Sequence, residues 1–119
     1  MNATVNAPVE ADWVTVCDHT DLIPNVGVCA KVNNKQIAIF LLNNTDGSKS
    51  LYAIDNHDPK SNANVLSRGI VGDLKGHKVV ASPIYKNHFN LETGECLEES
   101  YSIPVYAVRE QDGKIEIAA

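Results

Sequence analysis

Cysteine, basic residues, helix signals and long apolar runs are all scarce in this chain, and each shortage excludes something. The three cysteines, Cys17, Cys29 and Cys96, are odd in number and far apart. They offer neither a disulfide framework nor a Cys-x-x-Cys metal knuckle, and they read as reduced, partly buried thiols. Ten Lys and Arg against fifteen Asp and Glu leave a formal charge of −5. That argues against a nucleic-acid or anionic-membrane surface, since both need clustered cations. No apolar run approaches the roughly 18 residues that would span a bilayer. The first twelve residues carry no Lys, Arg or His and no apolar centre, so they do not read as a secretory signal. The expectation is a cytoplasmic protein, with residues 1–12 as a disordered tail and residues 13–119 as one domain.

What is present is an all-β rhythm: short apolar runs with turn formers every few residues. Residues 13–17 open as a strand, and Asp21 to Asn25 break it. Val26, Val28, Ala30 and Val32 alternate onto one face. Asn33-Asn34 suits a tight hairpin turn, because Asn tolerates positive φ. Residues 36–42 are apolar on both faces, which marks a central strand. A turn over residues 43–47 leads to a strand over 51–55. Residues 56–78 carry Pro59, Gly69, Gly72 and Gly76 and read as a long functional loop. Two hairpins close the chain, one around Thr93-Gly94 and one around Asp112-Gly113. Helix is limited to short turns near Leu22 and between Ala63 and Arg68. Two sheets are expected to pack around Val14, Val28, Ile37, Ile39, Leu41, Leu51, Ala53, Val80, Val105 and Ile115, or their opposite-face neighbours.

Two loops carry the functional signal. The first runs through Asp55-Asn56-His57-Asp58-Pro59-Lys60, the second through Ala81-Ser82-Pro83-Ile84-Tyr85-Lys86-Asn87-His88. Their punctuation resembles a Rieske domain, in which Cys-x-His and Cys-x-x-His grip a [2Fe–2S] centre. The four matching positions here read Asp58, Lys60, Ser82 and Tyr85. A protonated Lys has no lone pair, and Ser and Tyr are hard oxygens, whereas cluster iron takes thiolate and imidazole. No metal and no catalytic residue is expected on this chain.

Together with Asn64-Val65-Leu66-Ser67-Arg68-Gly69-Ile70-Val71-Gly72-Asp73 and Thr93-Gly94-Glu95-Cys96, these loops resemble the small subunits of the assimilatory NAD(P)H-dependent nitrite reductases. That family is a Rieske-like domain without cluster ligands. The resemblance covers roughly residues 13–117. It implies an all-β Rieske-like fold, an antiparallel sandwich with an inserted loop-rich subdomain. It also implies a large subunit that carries FAD, an iron–sulfur cluster and sirohaem and reduces nitrite to ammonium. The retained shape of the loops then suggests a docking surface. It comprises His57, Asp58, Pro59 and Lys60 on the first loop, Arg68 beyond it, and Ser82, Pro83, Ile84, Tyr85, Lys86 and His88 on the second. Tyr85 is the anchor of choice, and Lys60, Arg68 and Lys86 are rim charges.

Other readings of the same residues are weaker. His57, Asp58 and His88 could hold a mononuclear metal, but their spacing is long. His57, Asp58 and Ser82 lack the strand-to-helix elbow of a nucleophilic triad. Gly69, Gly72 and Gly76 lack both phosphate-loop spacings. Two rival functions remain, a true Rieske electron carrier and a free-standing small-molecule-binding domain.

Overall fold

The computed structural model describes residues 12–119 and the backbone of Asn2–Ala3. The expected tail over residues 1–12 therefore lies almost wholly outside the described residues. In chain order the strands are β1 (Asn2–Ala3), β2 (Trp13–Asp18), β3 (Val28–Val32), β4 (Lys35–Asn43), β5 (Lys49–Asp55), β6 (His57–Asp58) and β7 (Ala63–Asn64). They continue as β8 (Ile70–Leu74), β9 (His77–Ala81), β10 (His88–Asn90), β11 (Val105–Gln111) and β12 (Lys114–Ala118). Two single-turn 3-10 helices, His19–Asp21 and Leu66–Arg68, match the two expected helical turns.

The large sheet has the order β2-β12-β11-β5-β4-β3, with β1 paired to β5 in parallel. The β3–β4 hairpin closes through Asn33 and Asn34, both at positive φ (49° and 66°), as two asparagines at a tight turn require. Strand β4 is central and apolar on both faces, and the reason is now visible. Ile37, Ile39 and Leu41 join Leu51, Ala53, Val108, Ile115 and Ile117 in one core. Ala38, Phe40 and Leu42 point the other way, into a second core with Ile54, Leu66, Val80, Phe89 and Leu91. A strand buried on both sides loses its alternation, because both side-chain sets must leave water.

Of the expected core residues, one needs correction, and the rest divide between the two cores. Ile37, Ile39, Leu41, Leu51, Ala53 and Ile115 share the first core, with Val28 packed on its margin. Val80 and Val105 belong with the second. Val14 stands at the surface. The cause is a β-bulge in β2: Cys17 pairs with Ile115 but Thr15 pairs with Glu116, so Val16 is the extra residue. A bulge reverses the alternation beyond it, so Val16 and Cys17, not Val14, meet the core.

The long loop expected over residues 56–78 is also corrected. It holds the β6–β7 hairpin, strand β8 and the start of β9, part of a three-stranded sheet ordered β10-β9-β8. Strand β8 was hidden because Gly72 and Asp73 are poor strand formers. It pairs with β9 across a two-residue Lys75-Gly76 turn. This subdomain packs onto the even face of β4 through Leu66, Val80 and Phe89. Close backbone approaches around this subdomain need glycine. A Cβ at Gly69 would strike the Ala81 carbonyl oxygen, and one at Gly94 (φ +80°) would strike that of Ile103.

Candidate functional site: the paired loops

The first loop starts where β5 leaves the large sheet. Asn56 is buried and spans the junction. Its N–H donates to the Gln36 carbonyl at 2.9 Å. Its side-chain oxygen accepts from the Ser67 N–H at 2.7 Å. Its carbonyl accepts from the Leu66 N–H at 3.1 Å. The chain then turns through the β6–β7 hairpin, with Asn62 at φ 55° and its N–H on the Asp58 carbonyl at 2.8 Å.

The second loop is short and closed on itself. The Ser82 N–H donates to the Asn87 carbonyl at 2.9 Å, and the Lys86 N–H to the Ser82 carbonyl at 3.0 Å. Lys86 takes the left-handed conformation (φ 61°) to close it. Pro83, Ile84, Tyr85 and Lys86 are exposed, while Ser82 and Asn87 are buried.

The four positions that correspond to cluster ligands meet in two pairs. The inner pair is Asp58 with Ser82: the hydroxyl donates to Oδ2 at 2.7 Å. Asp58 has no solvent exposure, and every lone pair it presents is used. Asn87 Nδ2 donates to Oδ1 at 3.1 Å, the Ser61 hydroxyl to Oδ2 at 2.9 Å, and the Lys60 N–H to Oδ1 at 3.1 Å. Burial pushes this carboxyl up, but the bonds from Ser82, Asn87, Ser61 and the Lys60 N–H outweigh it, so it sits below its ordinary value. One carboxylate thus cross-links both loops.

The outer pair is Lys60 with Tyr85. The ammonium lies 5.6 Å from the ring centre, a cation–π contact. It also pairs with Glu99 at 3.4 Å. Glu99 in turn accepts from the Tyr101 hydroxyl at 2.9 Å, and that hydroxyl accepts from Asn87 Nδ2 at 3.1 Å. Burial, then Glu99 and Cys96, raise the Tyr101 phenol well above its ordinary value, so it remains a donor. A polar chain therefore runs from the exposed Lys60 to the buried Asp58. Sequence reasoning missed Asn56, Asn87 and Tyr101, which lie outside the ligand pattern.

This donor set does not fit a [2Fe–2S] cluster. The inner positions carry no thiolate, and the space between them is closed by a 2.7 Å hydrogen bond. The outer positions offer an ammonium and a phenol in place of imidazoles.

The remaining candidates are dispersed. His57 turns to Asn64 (Nδ1 to Oδ1, 3.1 Å), and His88 to Glu98 (Nδ1 to Oε2, 2.7 Å). No group of three potential metal ligands forms among the described residues. Ser82 bonds Asp58 directly, with no histidine between them, so a triad has no geometric basis. Arg68 ends the second 3-10 helix with its side chain exposed. Of the expected docking residues, Asp58 and Ser82 are buried and act behind the surface. Pro59, Lys60, Arg68, Pro83, Ile84, Tyr85 and Lys86 are exposed, and His57 and His88 are half-buried.

Residues 12–118 match the family model of the Rieske-like [2Fe-2S] domain. The chain is 37% identical over 108 residues to the nitrite reductase (NADH) small subunit of Escherichia coli K12, covering 90% of this chain and 97% of that one. It is 35% identical over 104 residues to the nitrite reductase [NAD(P)H] large subunit of Klebsiella oxytoca, a match that covers 87% of this chain and 10% of that one. Among solved structures it resembles the nitrite reductase [NAD(P)H] small subunit of Erwinia carotovora, with a TM-score of 0.72 at 44% identity over 90% of this chain and 81% of that one. The E. coli protein NirD gives a TM-score of 0.80 at 36% identity, over 90% and 96%. The ferredoxin of carbazole 1,9a-dioxygenase from Nocardioides aromaticivorans gives a TM-score of 0.72 at 22% identity, over 91% and 98%, a likeness of fold alone.

Proposed function

The chain belongs to the Rieske-like small subunits of NAD(P)H-dependent nitrite reductase, and we propose that it serves as a non-cluster subunit, docking its paired loops onto the large subunit. The redox centres sit on that partner. We assign it FAD, an iron–sulfur cluster and sirohaem, the set that passes electrons from a nicotinamide to nitrite. We place the complex in the cytoplasm, where that donor is found.

The observation that carries this reading is the pairing of the four ligand positions. The loops are held in a defined shape by Asp58–Ser82 within and Lys60–Tyr85 outside, although this donor set suits no cluster. A tip shaped without that chemistry is a surface, and Tyr85, 58% exposed, supplies large apolar area with one polar handle. The Klebsiella relative adds support, because there a matching segment is part of the large chain.

The test is Tyr85→Ala combined with Lys86→Glu, after a thermal melt shows that the fold survives. Binding to the large subunit should weaken at least tenfold, and nitrite turnover by the reconstituted pair should fall with it. Full binding and full turnover would overturn the loop-tip interface. The electron-carrier reading makes the opposite demand: iron-replete, anaerobic preparation would have to yield about two irons and two sulfides per chain.

A further inference from the structure

One groove beside the loops differs from the other hollows on the molecule. It holds about 400 Å³ and is lined by Ile70, Ala81, Ser82, Pro83, Lys86 and His88. Three other hollows are lined by glutamates, Glu95, Glu98 and Glu99, with Cys96, Leu97, Tyr101 and His77 among their neighbours. The sheet register explains the groove. Ile70, Ala81 and His88 are paired across β8, β9 and β10, so their side chains share one face. The small Ala81 leaves a trough between two larger neighbours, and Pro83 walls it where the second loop begins. Ile70 is 76% exposed, more than any other large apolar side chain among the described residues. An isoleucine this open, at the first position of β8, contributes little to the core.

The charges around the groove are also specific. Glu98 is engaged with His88 through both its oxygens, at 2.7 Å to Nδ1 and 2.7 Å to the N–H. Lys86, on the lip, makes no ion pair among the described residues, and neither does Arg68, two residues before Ile70. A chain of net charge −5 thus carries one cation on the groove's lip and another two residues before Ile70, neither with an ion pair among the described residues.

We infer that this groove is the specificity socket of the subunit, receiving one apolar side chain of the large subunit with a carboxylate of that subunit beside it on Lys86. The inference deepens the proposed function and rests on it. An apolar anchor in a small pocket with a charge at its rim is how a few residues come to dominate an interface. The carboxylate follows from complementarity to Lys86 and Arg68. It extends the contact surface from the loop tip to strand β8, which sequence reasoning had left inside a loop.

Two variants test it by different routes, in the full-length chain against purified large subunit. Ile70→Glu places a carboxylate on the apolar wall and faces the partner's carboxylate. Ala81→Leu fills the trough floor with hydrocarbon and adds no charge. Thermal melts must first match the wild type, which exposure of Ile70 favours. Each variant should weaken binding about tenfold or more, chiefly through faster dissociation. Ile70→Lys, tested with them, should lose less than Ile70→Glu, because it keeps the favourable sign. Wild-type binding with both Ile70→Glu and Ala81→Leu within about twofold of it overturns the socket and leaves the proposed function standing. Failure of the wild-type chain to bind the large subunit at micromolar concentration overturns both. Equal losses for Ile70→Glu and Ile70→Lys would overturn the charge assignment, and a change confined to self-association would assign the groove to a second copy of this chain.

Discussion

Phe40 and Asp58 are equally shut off from water, and their surroundings have nothing in common. Phe40 packs with Ala38, Leu42, Ile54, Leu66, Val80 and Phe89. Asp58 meets the hydroxyls of Ser61 and Ser82, the Asn87 amide and the Lys60 N–H. Hydrocarbon burial is non-directional and grows with area. A buried carboxylate is tolerated only if its acceptor sites are filled with good geometry. The body of the molecule can therefore adjust to small changes in packing, whereas the tip holds one arrangement or none. A docking surface benefits from the second property, since a preorganised loop loses less freedom on binding.

The largest expected effect lies in the body. Phe40→Ala should cost about 3–5 kcal/mol, read as a lower urea midpoint with an unchanged slope. Because Phe40 shares its core with Val80 and Phe89 of the small sheet, amide exchange should accelerate in both sheets together. Exchange confined to the small sheet would show that the two layers unfold separately.

Asp58→Ala comes next, at about 2–4 kcal/mol, because it strands buried donors on Ser82, Asn87 and the Lys60 backbone. Here exchange should rise mainly in residues 57–64 and 82–88, with the large sheet nearly unchanged. Asp58→Asn keeps an acceptor and should cost less. The two aspartates, folded and unfolded, differ in proton affinity, so the deficit depends on pH. The folded carboxyl lies below its ordinary value, so its contribution is full above that value. It is lost as pH falls through the ordinary carboxylate range, near about 4, toward the folded value. The stability gap between wild type and Asp58→Asn should therefore narrow between about pH 5 and pH 3. A gap that is constant across this range would mean that the ionised form is not what the loops hold.

How much of this was readable from the sequence follows the same divide. The central strand over residues 36–42, the Asn33-Asn34 hairpin and the terminal hairpin at Asp112-Gly113 were legible, because periodicity and turn chemistry are local. The bulge at Val16 was not, since it is visible only once Cys17 and Thr15 have partners on β12. Strand β8 was obscured by Gly72 and Asp73 and owes its pairing to β9. At the site, the ligand positions were legible as a pattern and their replacement chemistry as a mismatch. Their cross-pairing was not. Asp58 and Ser82 lie 24 residues apart, and nothing in either loop states that a carboxylate and a hydroxyl will meet where two thiolates would. Asn87 lies outside the four ligand positions, and only burial reveals it as a donor to both Asp58 and Tyr101.

The smallest effect on stability is expected at the outer pair, although the proposed docking gives the same positions a part in encounter. Lys60 and Glu99 are each about two-fifths exposed along their side chains, and exposed ion pairs contribute about 0–1 kcal/mol. The cation–π contact to Tyr85 adds about 0.5–1 kcal/mol at such a site. Lys60→Met keeps the apolar stem and removes the charge, so the fold should lose no more than about 2 kcal/mol. Association with the large subunit should behave differently. Removing a rim cation should slow binding severalfold at low salt and flatten its salt dependence, while dissociation stays nearly constant. Stopped-flow association at two ionic strengths reads this directly. A large stability loss with unchanged kinetics would reverse the assignment: Lys60 would then serve only to tie the loops and not as a rim charge, and the electrostatic contribution to docking would rest on Arg68 and Lys86.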